Sequence, residues 1–487
     1  MTKVPLPAAA RRGQVSIVHL GLGAFHRAHQ AVYLERYRQR SGDAGWGVSS
    51  ANLRSNKALV DALRSADFRY HVAEYADRYN VILREIGVIE ETLFTGSAAG
   101  SDLGRDLESL LTRLADEAVR IVTLTVTEKG YFLSPSEGTL LRDDPQIAAD
   151  VAEPHAPSTA PGILVEALAR RRAAGRAPFT VLCCDNMPDN GKRTRAAVTQ
   201  LAACRDEALA DWIRREVAFP CSMVDRIVPA MTEAEFQRLA QLGIEDPNAV
   251  VCEAFSQWVV EDYFPMGRPD WEADGVEMVA DVAPFETMKL RMLNGSHSLL
   301  AYLGTQAGIE TVYDAVTQPA IAKLLRRYMM TEAAPTLGMP EGTDLDGYSE
   351  QLLARFANDS LRHKLHQIAM DGSQKLPQRW LQGALCRLEA GAEPPCTAFG
   401  IAAWIHYTSG MSPNGDSHEV NDPMAAIFAE LHRQHRSEES LVRAFLGLET
   451  VFPPALVHHE SFVQLVCRMY QGVRDRGVMA TLAKLAV

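Results

Sequence analysis

Lys289, Asn294 and His297 stand in one apolar run, KLRMLNGSHSLLAYLG (289–304). An amine, an amide and an imidazole among Leu, Met, Ala and Tyr are groups suited to moving a proton and holding an oxygen. On a regular α-helix at about 100° per residue, Asn294 falls about 140° from Lys289 and His297 about 80° from it, so all three share one half of the surface. Each residue also has a bland reading. The lysine snorkels, the asparagine caps beside Gly295, and the histidine is a satisfied core residue. Taken together, three polar groups in such a segment need partners. The chemistry that fits them is hydride transfer without a metal. An alcohol loses its proton as its hydride leaves, and a buried lysine can take that proton because desolvation disfavours its charged form. An amide donor steadies the reacting oxygen, and an imidazole orients the hydroxyl. A second amide is available at Asn186 in CCDNMPDNG (183–191), at the carboxyl end of a candidate strand. That end is where open α/β sheets place their ligands.

A departing hydride needs an acceptor, and the first candidate strand leads to a place for one. VSIVHLGLG (15–23) is β-rich and ends in glycines, and AFHRAHQAVYLERYRQR (24–40) reads as the helix that follows. In GLGAFH, Gly21 permits a tight turn, and Gly23 lets the backbone approach a pyrophosphate. The next residues, Ala24 and Phe25, open the helix whose free N–H groups face the anion. His26 replaces the third glycine of the usual fingerprint, and a bare glycine turn without ligand is the competing reading. The second strand, within WGVSSANL (46–53), leads into ANLRSNK without the customary acid for the ribose hydroxyls. Arg54, Ser55 and Asn56 could equally accommodate a 2′-phosphate, so these residues leave NAD and NADP open. His26 and His29 make an H-x-x-H pair with no third metal ligand nearby; packing near the cofactor is the expected role, and no metal is expected.

Further candidate strands, VRIVTLTV (119–126) and FTVLCCDN (179–186), continue a strand–helix alternation that predicts a doubly wound, mostly parallel Rossmann-type α/β domain. From about Pro284 the pattern turns helical, predicting domains 1–285 and 286–487, the second mainly α-helical. PHAPSTAPG (154–162) and SPNGDSHEVNDP (412–423) are expected to be surface excursions. The 487 residues carry a net charge of -12, which argues against nucleic acid or an anionic membrane as partner but not against a small anion held by local cations. The eight cysteines follow no framework, no leader is evident, and no run reaches a membrane span, so the chain reads as soluble and cytoplasmic. The oligomeric state is not legible; a monomer is compatible.

The pattern K-x-x-x-x-N-x-x-H, here Lys289, Asn294 and His297, resembles the catalytic signature of the mannitol dehydrogenase family, the zinc-independent long-chain polyol dehydrogenases. VAFPCSMVDRIVP (217–229) resembles that family's V-D-R block. GLGAFHRAHQ, VTEKGY, CDN, MPEGTDL and QIAMDGSQKLPQR look like further family blocks. The resemblance covers nearly the whole chain and looks nearest to the fructuronate reductase (mannonate oxidoreductase) branch, with mannitol 2-dehydrogenase a neighbour. It implies a Rossmann-type domain followed by a helical one, NAD as cofactor with NADP open, and Lys289 as general acid/base. Asn186 and Asn294 would hold the reacting oxygen, His297 would position the substrate, and Asp225 would lie near it. Glu128 and Glu286 would border the site. The bland counterparts are an Asp225–Arg226 pair in a turn and an i,i+3 pair of Glu286 with Lys289. Lys375, in DGSQK, is a candidate cation for substrate hydroxyls or a carboxylate, against a solvated loop lysine. The resemblance first, and the cations Lys375, Arg379 and Arg362 second, tip the expectation slightly to D-mannonate/D-fructuronate over D-mannitol/D-fructose or another polyol such as D-arabinitol. A catalytically inactive dinucleotide sensor and a zinc-dependent polyol dehydrogenase are the competing classes. The intact Lys, Asn and His set speaks against the first, and the lack of clustered ligands against the second.

Overall fold

The computed structural model describes residues 1–5, 13–96, 103–134, 137–360, 362–411, 415 and 417–485. The chain divides into two compact units, Met1–Ala283 and Pro284–Val487.

The first unit is built on five parallel strands: β1 (Val15–Leu20), β2 (Gly47–Asn52), β3 (Ile89–Phe94), β4 (Ile121–Leu124) and β5 (Thr180–Cys183). Their order across the sheet is β3-β2-β1-β4-β5. That is the Rossmann order, with the chain reversing direction of travel at β1. Every residue of β2, β4 and β5 is buried, as expected where both faces of a parallel sheet are covered. The period-2 pleat divides neighbouring residues between two cores. Val18, Val122 and Val181 enter one, and Ile17, Ile121 and Leu182 enter the other.

Two smaller sheets complete this unit, and the alternation of the sequence did not reveal them. One pairs Thr2–Val4, Val81–Ile86, Tyr70–Tyr75 and Val250–Glu253. The other joins Ser222–Asp225 (β6), Gln257–Glu261 and Glu277–Val279. Charged residues hide the first sheet from a hydrophobicity reading, because Glu74 and Arg84 sit in its middle strands and pair at 3.1 Å. The helix expected over 24–40 is broken at His29 into α1 (Ala24–Ala28) and α2 (Gln30–Ser41). PHAPSTAPG is not a surface excursion at its end. Thr159 caps α3 (Ala160–Ala173) by accepting from Gly162 N at 3.0 Å, while Asp150 takes the N–H and hydroxyl of both Ser158 and Thr159. In the second loop, residues 412–414 and 416 lie outside the described residues, and Asp422 accepts from Ser373 N and Oγ.

The second unit is helical. Two of its helices, α5 (Gly295–Gln306) and Pro395–Tyr407, are buried along almost their whole length. The segment before α5 departs from the expected regular helix. α4 (Ala283–Met288) runs into a π turn at Lys289–Asn294, where Gly295 N donates to Leu290 O, five residues back. Two more π turns follow at Tyr328–Ala333 and Pro377–Leu381, each marked by the same five-residue spacing. Among the described residues no helix is long and apolar enough to cross a membrane.

Candidate active site

The glycine turn after β1 is locked from below. Gly21 has φ +106°, and a Cβ there would collide with the carbonyl of Thr125. Its N–H donates to Ala51 O at 2.8 Å, and its carbonyl accepts from Thr125 Oγ1 at 2.8 Å. His19 Nε2 lies 3.1 Å from the same carbonyl, and its Nδ1 lies 2.8 Å from Thr123 Oγ1. Burial lowers the His19 pKa to about 3, so the ring is neutral and hydrogen-bonded within the fold. His26 stacks on it at 3.4 Å, whereas His29 turns away to Gln257 O at 2.9 Å. The two histidines of the H-x-x-H pair thus serve different neighbours. Among the described residues no group of three or more His, Cys, Asp or Glu is arranged to hold a metal ion.

The turn opens onto a cleft of about 420 Å³. Gly21, Gly23, Arg54 and Asn56 line it, together with Thr127, Lys129 and Ser158. A Cβ on Gly23 would find no atom nearer than Gly21 O at 3.7 Å, so it would stand in the cleft itself. The residues therefore fit a dinucleotide whose pyrophosphate approaches the Gly23 backbone. No carboxylate lines the cleft among the described residues. Arg54 lies with its guanidinium 5.3 Å from the centre of the Phe132 ring. Ala24 and Phe25 do not line the cleft; they open α1, and Phe25 stacks on His29 at 4.9 Å. Lys129 and Ser158 escaped the sequence reading, one inside the VTEKGY block and the other in a stretch taken for a surface loop.

Asp185, between Cys184 and Asn186, organises the ends of β4 and β5. It is buried and accepts from Val126 N at 3.0 Å, Thr127 N at 2.9 Å and Tyr131 Oη at 2.6 Å. Burial raises its carboxyl above the usual range. These bonds tie the loop that carries Glu128 to the loop that carries Asn186. Asn186 itself is exposed, and Glu128 pairs with Arg193 at 2.7 Å on the surface. Asn190 joins β5 to β6, donating to Asp185 O and Ser222 O and accepting from Ser222 N. Asp225 ends β6 and is buried. Its neighbour Arg226 pairs with Glu74 at 2.6 Å and also donates to Ala28 O and Glu253 O. The arginine of V-D-R thus ties together distant parts of the first unit.

In the second unit the π turn changes the geometry read from the sequence. A turn closed by i→i+5 bonds takes in more residues than an α-turn, so Lys289 and Asn294 come nearer to one face than the regular-helix angle allows. Lys289 is 7 % exposed, which disposes of a lysine snorkelling into water. Asn294 is helical on both sides and makes no capping bond, so it is no helix cap. His297 is half-buried, 4.8 Å from the Phe356 ring and 6.1 Å from that of His363. Glu286 lies on α4, three residues before Lys289. Lys375 is half-buried, with Nζ donating to Met370 O at 2.5 Å and Ile368 O at 3.4 Å. Burial, aided by the nearby Arg379 charge, lowers its pKa. Arg362 is exposed, but Arg379 is not a free surface cation. It donates to Asn294 O at 3.3 Å and Ser298 Oγ at 3.0 Å.

Sheet order and glycine cleft place the first unit among the Rossmann-type dinucleotide-binding folds. Residues 15–273 match the mannitol dehydrogenase Rossmann domain, and residues 281–474 match the mannitol dehydrogenase C-terminal domain. The chain is 46% identical to D-mannonate oxidoreductase of Escherichia coli over 472 residues, covering 96% of this chain and 95% of that one. It is 35% identical over 492 residues to mannitol 2-dehydrogenase of Phaeosphaeria nodorum, covering 100% of this chain and 84% of that one. Among solved structures it resembles Pseudomonas fluorescens mannitol 2-dehydrogenase in ternary complex with NAD and D-mannitol. That match has TM-score 0.79 and 36% identity, over 99% of this chain and 96% of that one. It also resembles a substrate-free D-sorbitol dehydrogenase, with TM-score 0.91 and 32% identity over 99% and 97% of the two chains. The chain belongs to the mannitol dehydrogenase family.

Proposed function

We propose that the protein is an NAD-dependent oxidoreductase that interconverts D-mannonate and D-fructuronate in the cytoplasm. Its similarity to the D-mannonate oxidoreductase of E. coli along nearly the whole of both chains carries this reading. When bound, the nicotinamide would supply the acceptor for the alcohol's hydride and the donor for the ketone's. Gly21 and Gly23 admit the pyrophosphate, and Arg54 meets the adenosine end. Lys289 takes the hydroxyl proton during oxidation and returns it during reduction, without a metal. Asn294 and Asn186 donate to the reacting oxygen, and His297 orients it. Asp225, Glu128 and Glu286 border the substrate. Lys375 is the cation for the substrate's carboxylate. Two of its three N–H groups are engaged by main-chain oxygens, which leaves one for the substrate.

The second reading is D-mannitol/D-fructose, favoured by the likeness to the mannitol 2-dehydrogenases. The absence of a carboxylate from the cleft among the described residues also leaves NADP to be measured beside NAD. The test is a panel of hexitols, pentitols, ketohexoses and ketohexuronates, assayed in both directions with both cofactors. The proposal expects fructuronate reduction with NADH to give the highest kcat/KM. Fructose reduced at least as efficiently as fructuronate would move the assignment to the polyol reading. Cofactor binding without turnover on any member would return the protein to the sensor class.

A further inference from the structure

The three π turns of the second unit are bound to one another at the turn that carries Lys289. In an α-helix the carbonyl of residue i takes the N–H of residue i+4; a π turn moves that partner by one and disturbs the ladder around it. Three carbonyls within residues 291–295 are met by side chains from the other two π turns. Tyr328 Oη donates to Arg291 O at 2.7 Å. Arg379 Nη1 reaches Asn294 O at 3.3 Å and Ser298 Oγ at 3.0 Å. Trp380 Nε1 donates to Gly295 O at 3.0 Å. Outside donors of this kind offset the cost of a distorted backbone ladder. They also explain the glycine of N-G-S-H, since a Cβ on Gly295 would collide with Tyr328 Oη.

We propose that Tyr328 and Arg379 are positioning residues that hold this π turn, and with it the relative setting of Lys289 and Asn294. The proposal rests on the reading of Lys289 as the proton-transferring group and Asn294 as the oxygen-holding group. Were the turn to relax to a regular helix, Asn294 would swing to about 140° from Lys289. Misplacing a reacting group by about 1 Å costs on the order of 10²-fold in rate. Neither positioning residue needs to touch the substrate.

The test compares Tyr328→Phe, Gly295→Ala, their double variant, Arg379→Lys and Arg379→Met with the wild type. Turnover is expressed per coenzyme-binding site, titrated by NADH fluorescence, and amide hydrogen exchange is followed over residues 285–300. The two single variants should each lower turnover per site roughly 10- to 100-fold, with KM for coenzyme unchanged and faster exchange in that segment. The double variant should be no slower than the worse single, because both act on one contact. Arg379→Lys should keep part of the rate that Arg379→Met loses. Wild-type turnover and exchange in both Tyr328→Phe and Arg379→Met would overturn the proposal. So would multiplicative losses in the double variant, or losses that only follow the number of coenzyme sites. Lys289→Ala, assayed alongside, separates the two readings. If it stays active, the role of Lys289 fails, and the exchange data still judge whether the turn is held. If it is inactive while the other variants behave as wild type, only the positioning role fails.

Discussion

Arg226 meets Glu74 at 2.6 Å with both side chains buried, and so links β6 to the sheet that contains Tyr70–Tyr75. Glu74 also receives Arg36 at 2.8 Å and Arg84 at 3.1 Å. One carboxylate therefore accepts from three guanidinium groups, and removing its charge leaves the buried Arg226 guanidinium without its carboxylate. Glu74→Gln should destabilise the protein by about 3–5 kcal/mol, measured by urea unfolding with the cofactor absent. A loss below about 1 kcal/mol, typical of an exposed pair, would show that this contact does not anchor the V-D-R block.

Acid sensitivity should arise beneath the glycine turn. The folded pKa of His19 is depressed from 6.5 to about 3, and that of stacked His26 is also lowered by burial. Between those values the unfolded chain binds a proton at His19 that the folded chain refuses, so stability falls as pH drops through this window. Above pH 6.5 His19 adds no pH dependence. Thermal unfolding of wild type and His19→Gln from pH 7 to pH 4 should show a shallower decline in the variant. Parallel declines would assign the acid sensitivity to other groups.

Asn294→Ala and Asn186→Ala should each depress turnover far more than coenzyme affinity. Loss of one oxyanion-hole donor costs roughly 3–4 kcal/mol, or about 10²–10³ in rate. Steady-state kinetics with coenzyme titration checks this. A variant altered only in melting temperature would have lost a structural amide.

Much of this arrangement was legible in the residues. The strand-glycine-helix passage at Gly21 and Gly23, the parallel alternation and the helical character of the second part all follow local patterns that the fold preserves. The π turn at Lys289–Asn294 was not legible, and the side chains that meet its carbonyls, Tyr328, Arg379 and Trp380, come from far away in the chain. Asp185 was missed because its partners, two backbone N–H groups and the Tyr131 hydroxyl, belong to another loop that only the fold brings near. Arg379 illustrates the same limit in reverse. It looked like one of three local cations, but its guanidinium is directed to Asn294 O and Ser298 Oγ.

Substrate choice should depend on Lys375, whose ammonium is already oriented by Met370 O and Ile368 O. A charged hydrogen bond contributes about 1.5–3 kcal/mol. Lys375→Met should therefore erase roughly 10- to 100-fold of any preference for fructuronate over fructose while sparing fructose reduction. Competing kcat/KM measurements on the two ketoses decide it. An unchanged preference would put the carboxylate elsewhere.

The role of Lys289 as acid and base is tested most directly by Lys289→Ala. Single-turnover reduction of the preferred ketose, with NADH saturating and coenzyme binding measured on the same sample, isolates the chemical step. The account predicts a rate lower by ~10²–10⁴-fold with coenzyme affinity retained. A loss of less than tenfold under those conditions would contradict it.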